Sequence, residues 1–269
     1  LDSKSDMAYT GLAQLYRKLG QHEKAIDFYQ RAIELDTTDK NRAFDYNGLG
    51  NVYSDLDRHD DAIAAYQRAI EFDPNWATPH NHLGNVYRDL GRHNDAIAAY
   101  QRAIELDPNW ATPHNHLGNV YRDLDRYDEA IAAYRRAIEL DPKWAGPHNR
   151  LGSVYHAIGR YEDAITELFR ALELNPKLIM AHSSLAACYR KLGRDVEYAE
   201  QIKITYELID KESEYNRACF ESVCGNVDAA FELLKVALEK KQTSKEWALR
   251  DPDFDFIRDD PRFKALVGE

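Results

Sequence analysis

The sequence predicts an all-α solenoid built from antiparallel helix pairs. Three observations carry that expectation: a period of 34 residues, a proline-bearing stop once per period, and small residues at helical spacing from aromatic ones. Residues 75–108 and 109–142 agree at 29 of 34 positions, differing only at Gly91/Asp125, His93/Tyr127, Asn94/Asp128, Asp95/Glu129 and Gln101/Arg135. The small residue after a leucine recurs at Ala13, Gly50, Gly84, Gly118, Gly152 and Ala186, first 37 residues apart and then 34 each time. A fixed period of this length marks a supersecondary unit that stacks on copies of itself.

Each period holds two helices. Asp73-Pro74, Asp107-Pro108 and Asp141-Pro142 end the second, because the residue before proline disfavours the helical region. Gly91 and Gly159 break the repeat near its middle, where a left-handed residue closes a helix. In the second helix Ala96, Tyr100 and Ala103 fall at i, i+4 and i+7, one stripe whose alanines admit close approach of the first helix. The resulting pair is apolar on two sides and can bury both only against its neighbours. Six repeats are expected, at about 6–39, 43–76, 77–110, 111–144, 145–178 and 179–210. The sixth degrades, with Tyr198, Ile202 and Thr205 replacing Ala, Tyr and Ala. Residues 211–240 keep a shortened hairpin through Ala218, Gly225, Ala230, Leu234 and Ala237. Residues 241–269, with starts at Asp251-Pro252 and Asp260-Pro261 and apolar Phe254, Phe256, Ile257, Phe263 and Leu266, are expected to fold back as a short-helix cap.

Composition narrows the function. The 269 residues are 44% hydrophobic and carry a net charge of −11, enough apolar material for an extended core and the wrong sign for nucleic acid or an anionic membrane surface. No apolar stretch is long enough to span a bilayer, and the polar opening from Leu1 to Asp6 is not signal-like, so a cytoplasmic protein is expected. The chain opens without Met, which suggests a piece of a longer protein. Cys188, Cys219 and Cys224 are too few and too irregular for a disulfide framework or a zinc site. His80 with His82, and His114 with His116, sit two apart on a helix and point away from each other, so no metal site is expected. No phosphate loop, nucleophile elbow or carboxylate pair in an apolar setting appears, and neither enzyme activity nor a cofactor is expected.

The repeat resembles the tetratricopeptide-repeat (TPR) family, whose Leu-Gly, Tyr, Gly, Ala, Tyr, Ala and Pro are here Leu83, Gly84, Tyr87, Gly91, Ala96, Tyr100, Ala103 and Pro108. The resemblance spans roughly residues 6–210 and implies a right-handed superhelix that binds proteins or peptides. It departs at the fourth position, where the usual large aromatic is His80, His114, His148 or His182, while Trp76, Trp110 and Trp144 sit in the preceding turn, placed to wedge between repeats. The tail is similar to those closing bacterial multi-repeat proteins, including sensor arms of large signalling ATPases.

On a helical wheel of about 100° per residue, Leu83, Gly84, Tyr87 and Leu90 share one side. Thr78, Asn81, Asn85 and Arg88 share a stripe turned toward the groove; Thr112, Asn115, Asn119 and Arg122 repeat it, Asn47, Asn51 and Ser54 precede it, and Asn149, Ser153 and His156 follow. An asparagine ladder can pair with any peptide backbone. The ladder of the O-GlcNAc transferase superhelix is similar in principle, although it corresponds to the adjacent position, here His82, His116 and Arg150. The expected peptide-binding residues are therefore Asn47, Asn51, Asn81, His82, Asn85, Arg88, Asn115, His116, Asn119, Arg122, Asn149 and Arg150. Arg88, Arg122 and Arg150 make an acidic guest the expectation. The carboxylate clamp of chaperone co-factors is not expected, since its lysine positions hold Asn81, Asn115, Thr112 and Gly146. The alternatives are a structural spacer that self-associates through its end repeats, or the targeting arm of an enzyme whose catalytic domain lies elsewhere.

Overall fold

The computed structural model describes residues 3–35 and 38–268; Leu1, Asp2 and the side chains as far as Asp6 lie outside that description, and with them most of the polar opening. Among the described residues there are helices and turns and no strand. The chain forms two compact units, residues 1–120 and 121–269, with the boundary inside the seventh helix.

The first unit contains α1 (Ser3–Lys18), α2 (His22–Leu35), α3 (Asp39–Asp55), α4 (His59–Phe72), α5 (Ala77–Asp89), α6 (His93–Leu106) and most of α7 (Ala111–Asp123). Pairs α1/α2, α3/α4 and α5/α6 pack as hairpins, and each pair packs on the next through α2 on α3 and α4 on α5. Hairpin closeness is set by glycine. A methyl group on Gly50 would lie 2.6 Å from the Tyr66 ring, and one on Gly84 would lie 2.6 Å from that of Tyr100. Gly48 does the same between hairpins, where a Cβ would come 2.5 Å from Tyr29 of α2. Ala62, Tyr66, Leu83 and Val86 form one buried cluster, so the second helix of one pair is covered by the first helix of the next.

Turn chemistry follows the repeat. Asp73 and Asp107 end their helices and accept backbone N–H bonds from Asn75 and Asn109 at 3.3 and 3.2 Å. Gly91 supplies the left-handed residue between α5 and α6 at φ +69°, and Asp57 takes the same conformation at φ +55° between α3 and α4. The arginine after each such residue recurs as a device. Arg58 and Arg92 lie 4.5 and 4.3 Å over the Tyr53 and Tyr87 rings and each pairs at 2.7 Å with the acid three residues on, Asp61 or Asp95.

The second unit runs from the end of α7 through α8 (Tyr127–Leu140), α9 (Ala145–Ala157), α10 (Tyr161–Leu174), α11 (Ile179–Lys191), α12 (Asp195–Leu208), α13 (Glu214–Cys224) and α14 (Val227–Glu239) to α15 (Lys245–Arg250) and α16 (Pro261–Val267). Successive helices pack in order from α8 to α12, and α13 packs on α14. Gly152 meets Leu168 as Gly84 meets Tyr100, with a Cβ that would lie 2.7 Å from the leucine. Phe254, Ile257, Phe263 and Val267 are buried against Ala218, Ala230 and Leu234, which seats the last segment on α13 and α14. No described helix is long and apolar enough to cross a membrane.

Replacing Gly84 by alanine tests the close approach. Tyr100 is fully buried and its hydroxyl is hydrogen-bonded, so the ring cannot swing aside, and overpacking should outweigh the roughly 1 kcal/mol gain in helix propensity. A net loss of about 1–3 kcal/mol is expected in urea unfolding, whereas Gly84→Ala combined with Tyr100→Leu should recover part of it.

Candidate functional site

In the first unit Asn47 and Asn51 line a cavity of about 580 Å³ together with Arg17, Phe44, Asp55, Trp76 and Thr78. Arg17 donates to both oxygens of Asp55, at 2.6 and 3.1 Å, on one wall. Trp76 stacks on Phe44 with centroids 6.1 Å apart and an interplanar angle of 15°.

The asparagines are already engaged. Tyr66 donates its hydroxyl proton to Asn51 Oδ1 at 2.8 Å, and Tyr100 donates to Asn85 Oδ1 at 2.7 Å. Asn47 Oδ1 lies 2.9 Å from Nδ1 of His82, and Asn81 Oδ1 lies 3.1 Å from Nδ1 of His116, so the tautomer protonated at Nδ1 donates from one hairpin back to the one before. Register alone put these asparagines on one stripe; the hydrogen bonds add that Asn47, Asn51, Asn81 and Asn85 lock the stack. The signal was present in the constant spacings, 15 from Asn to Tyr and 35 from Asn to His. Asn115 stands apart: it is only 7% exposed and its Oδ1 has no partner. Asn119 is also buried, and Arg88 pairs with Asp89 at 3.0 Å.

In the second unit Arg122, Asn149 and Arg150 line a chamber of about 330 Å³ whose other wall comes from Tyr215 of α13 and from Trp247, Arg250 and Asp253 of the tail. The Arg122 guanidinium lies 4.5 Å from the Trp247 ring centroid and pairs with Asp123 at 2.9 Å. Arg250 donates to the Asp123 carbonyl at 3.0 Å and stands 3.6 Å from Asp125. The tail thus occupies part of the stripe assigned to a guest. Asn149, like Asn115, is 7% exposed with an unpartnered Oδ1.

Beneath the chamber Cys219, Asp251 and Asp253 place their donor atoms within 4.8 Å of one another, a set that sequence spacing did not signal. Burial pushes the Cys219 thiol well up, and burial beside Asp251 and Asp255 pushes the Asp253 carboxyl well up. Asp251 accepts from the Tyr215 hydroxyl, from Cys219 Sγ at 3.8 Å and from the Asp253 N–H at 2.9 Å.

The family model described as the cilia and flagella-associated protein 70 C-terminal domain, a TPR model, matches residues 5–218. The chain belongs to this tetratricopeptide-repeat family. No curated protein sequence matches it significantly. Among solved structures it is similar to MamA, at 30% identity over 62% of this chain and 98% of that one with TM-score 0.56. It is also similar to YrrB, described as a TPR protein with an unusual peptide-binding site, at 27% identity over 64% of this chain and 88% of that one with TM-score 0.51. A TPR protein from Parabacteroides merdae, at 14% identity, shares the fold over 94% of this chain and 99% of that one with TM-score 0.71. TPR proteins are typically non-catalytic scaffolds that bind proteins or peptides.

Two histidines at the TPR fourth position are held within their own repeats. His148 Nδ1 lies 2.7 Å from Glu167, and His182 Nδ1 lies 2.7 Å from Gln201. Burial lowers the bridging histidines His82 and His116 to about 4, and His156 likewise. A histidine whose folded pKa is depressed stabilises fully above its unfolded value near 6.5, and that stability is lost as pH falls toward 4. Each could contribute up to about 3 kcal/mol across that window. Urea unfolding at pH 7 and pH 4.5 should show the loss, and His82→Gln with His116→Gln should shrink the difference.

Proposed function

We propose that this TPR chain is a protein-interaction scaffold that binds a polypeptide segment along the first helices of its repeats. In the first unit the contact residues are Asn47, Asn51, Asn81, His82, Asn85, Arg88, Asn115, His116 and Asn119. Arg122, Asn149 and Arg150 form the corresponding surface of the second. The observation that carries this reading is the tail: a segment of polypeptide rests on Arg122 and the turn after it, so the stripe has the shape and chemistry to hold one. The peptide-binding site named for YrrB lends support from a protein 27% identical. Side chains locked by Tyr66, Tyr100, His82 and His116 are held before any guest arrives, which keeps the ordering cost of binding low on the scaffold side. Photo-crosslinking residues at Thr78 and Arg88 should capture a bound polypeptide from cell extract, and the same residues at Gln101 and Arg102 on the outer helix should not. Equal capture from both faces would reject the groove.

A second reading, self-association through the first repeat, is favoured by one observation. Leu12 and Leu15 are 39% and 50% exposed. Their register equivalents Leu49 and Val52, Leu83 and Val86, Leu151 and Val154, and Leu185 and Cys188 are all buried. An uncovered face of this kind is a site for another helix pair. Sedimentation velocity over a hundredfold concentration range should then show a dimer that Leu15→Glu abolishes; a monomer throughout would remove this alternative.

A further inference from the structure

The slot that the tail enters in the second unit recurs, open, in the first. Arg17 stands 105 residues before Arg122, and Phe44, Asn51 and Trp76 stand 102 residues before Gly146, Ser153 and Leu178, the register that the longer first connection sets. Arg122, Gly146, Ser153 and Leu178 line the chamber of about 330 Å³, and Arg17, Phe44, Asn51 and Trp76 line the cavity of about 580 Å³. The two are the same slot of the repeat, formed once within each unit.

The second unit shows what such a slot holds. Trp247 lies over the Arg122 guanidinium, its ring centroid 4.5 Å away. Arg250, three residues on and so on the same side of α15, donates to the Asp123 carbonyl and stands 3.6 Å from the Asp125 carboxylate. The ring goes to the guanidinium face, and the charge three residues later goes to the turn behind it.

The first-unit slot differs in cover, in apolar surface and in charge. The Arg17 side chain is 37% exposed, against 17% for Arg122. Its two bonds to Asp55 engage the edge of the guanidinium, which holds the plane still and leaves a face for a ring. Phe44 stands where later repeats carry Thr78, Thr112 and Gly146, is 45% exposed, and stacks on Trp76. Lys18 and Gly20 hold the register of Asp123 and Asp125, and Lys18 lines the cavity. The turn that receives a cation in the second unit is therefore cationic in the first.

We propose that Arg17, Lys18, Phe44 and Trp76 form a subsite for a partner polypeptide that presents a large aromatic side chain and, three residues on along a helical turn, a carboxylate. This rests on the groove reading above and specifies its guest. The ring enters between the Arg17 face and the Phe44/Trp76 pair, and the carboxylate meets the Lys18 ammonium. The tail of a second copy has the right ring and the wrong charge, since its Arg250 would face Lys18.

The test uses the whole chain and a fluorescein-labelled peptide with the sequence of residues 243–252 carrying Arg250→Glu, followed by anisotropy, with the unaltered sequence as control. The glutamate peptide is expected to bind one per chain and about fivefold tighter than the unaltered one, a preference that raised salt shrinks. Alanine at the peptide's tryptophan, or Phe44→Thr in the protein, should weaken binding about tenfold, as loss of an aromatic anchor does. Arg17→Lys keeps the charge and loses the planar face, and should weaken it as well. Lys18→Glu should reverse the preference, a gain for the unaltered peptide that a damaged fold could not give. No binding, a preference that Lys18→Glu leaves unchanged, or binding indifferent to Phe44 and Arg17 overturns the subsite. Tighter binding of the unaltered peptide to the parent chain also overturns it, by making the tail of a second copy the occupant. A polypeptide captured by crosslinking at Arg88 with no peptide bound would leave the groove reading standing and reject only this guest; failure of both rejects both.

Discussion

Everything else in this fold depends on how closely a first helix can approach the second helix of its own pair. At Gly50 and Gly84 the approach is so near that a methyl group would enter the ring of Tyr66 or Tyr100. The tyrosine fills the gap, is removed from water completely or nearly so, and must then find a partner for its hydroxyl, since a buried polar group left alone is costly. Asn51 and Asn85 are those partners. One steric fact thereby sets the separation of the helices, the orientation of the ring and the position of an asparagine on the stripe.

The same economy joins one pair to the next in the first unit. Asn47 and Asn81 hold His82 and His116 of the following pair, and burial keeps both rings neutral at physiological pH. A neutral imidazole can offer its proton to an amide oxygen without the desolvation cost a charged ring would carry. At the turns, Arg58 and Arg92 cover a tyrosine of the first helix and pair with an acid of the second, which ties the hairpin at its solvent side. Copying the repeat copies these contacts wherever both partners recur, because each is defined by spacing.

Where the copies differ, the chemistry becomes specific. Asn149 takes the place of Asn47 and Asn81, but the following pair carries Ser184 where histidine stood, and its amide oxygen goes unpartnered, as does that of Asn115. In the second unit the tail brings a tryptophan and an arginine to that neighbourhood, while the core of Phe254, Ile257 and Phe263 anchors it on α13 and α14. Its apolar residues bind it to the hairpin below, and its polar and aromatic ones meet the stripe. That division of labour lets a short helix reach a surface it could not hold by itself.

The sequence by itself determined the architecture, since the 34-residue period, the Asp-Pro stops and the Gly-to-Tyr spacing each follow from local sterics that hold wherever the residues recur. It also placed the asparagine stripe, because position on a helix is a matter of angle. Only the tertiary structure decided what those asparagines do. Their partners lie 15 and 35 residues away, and which amide oxygen is met depends on whether the neighbouring pair presents histidine or serine at the right height. The place of Trp247 was equally out of reach of pattern, for it follows from how residues 251–267 pack on α13 and α14 and is visible in no period.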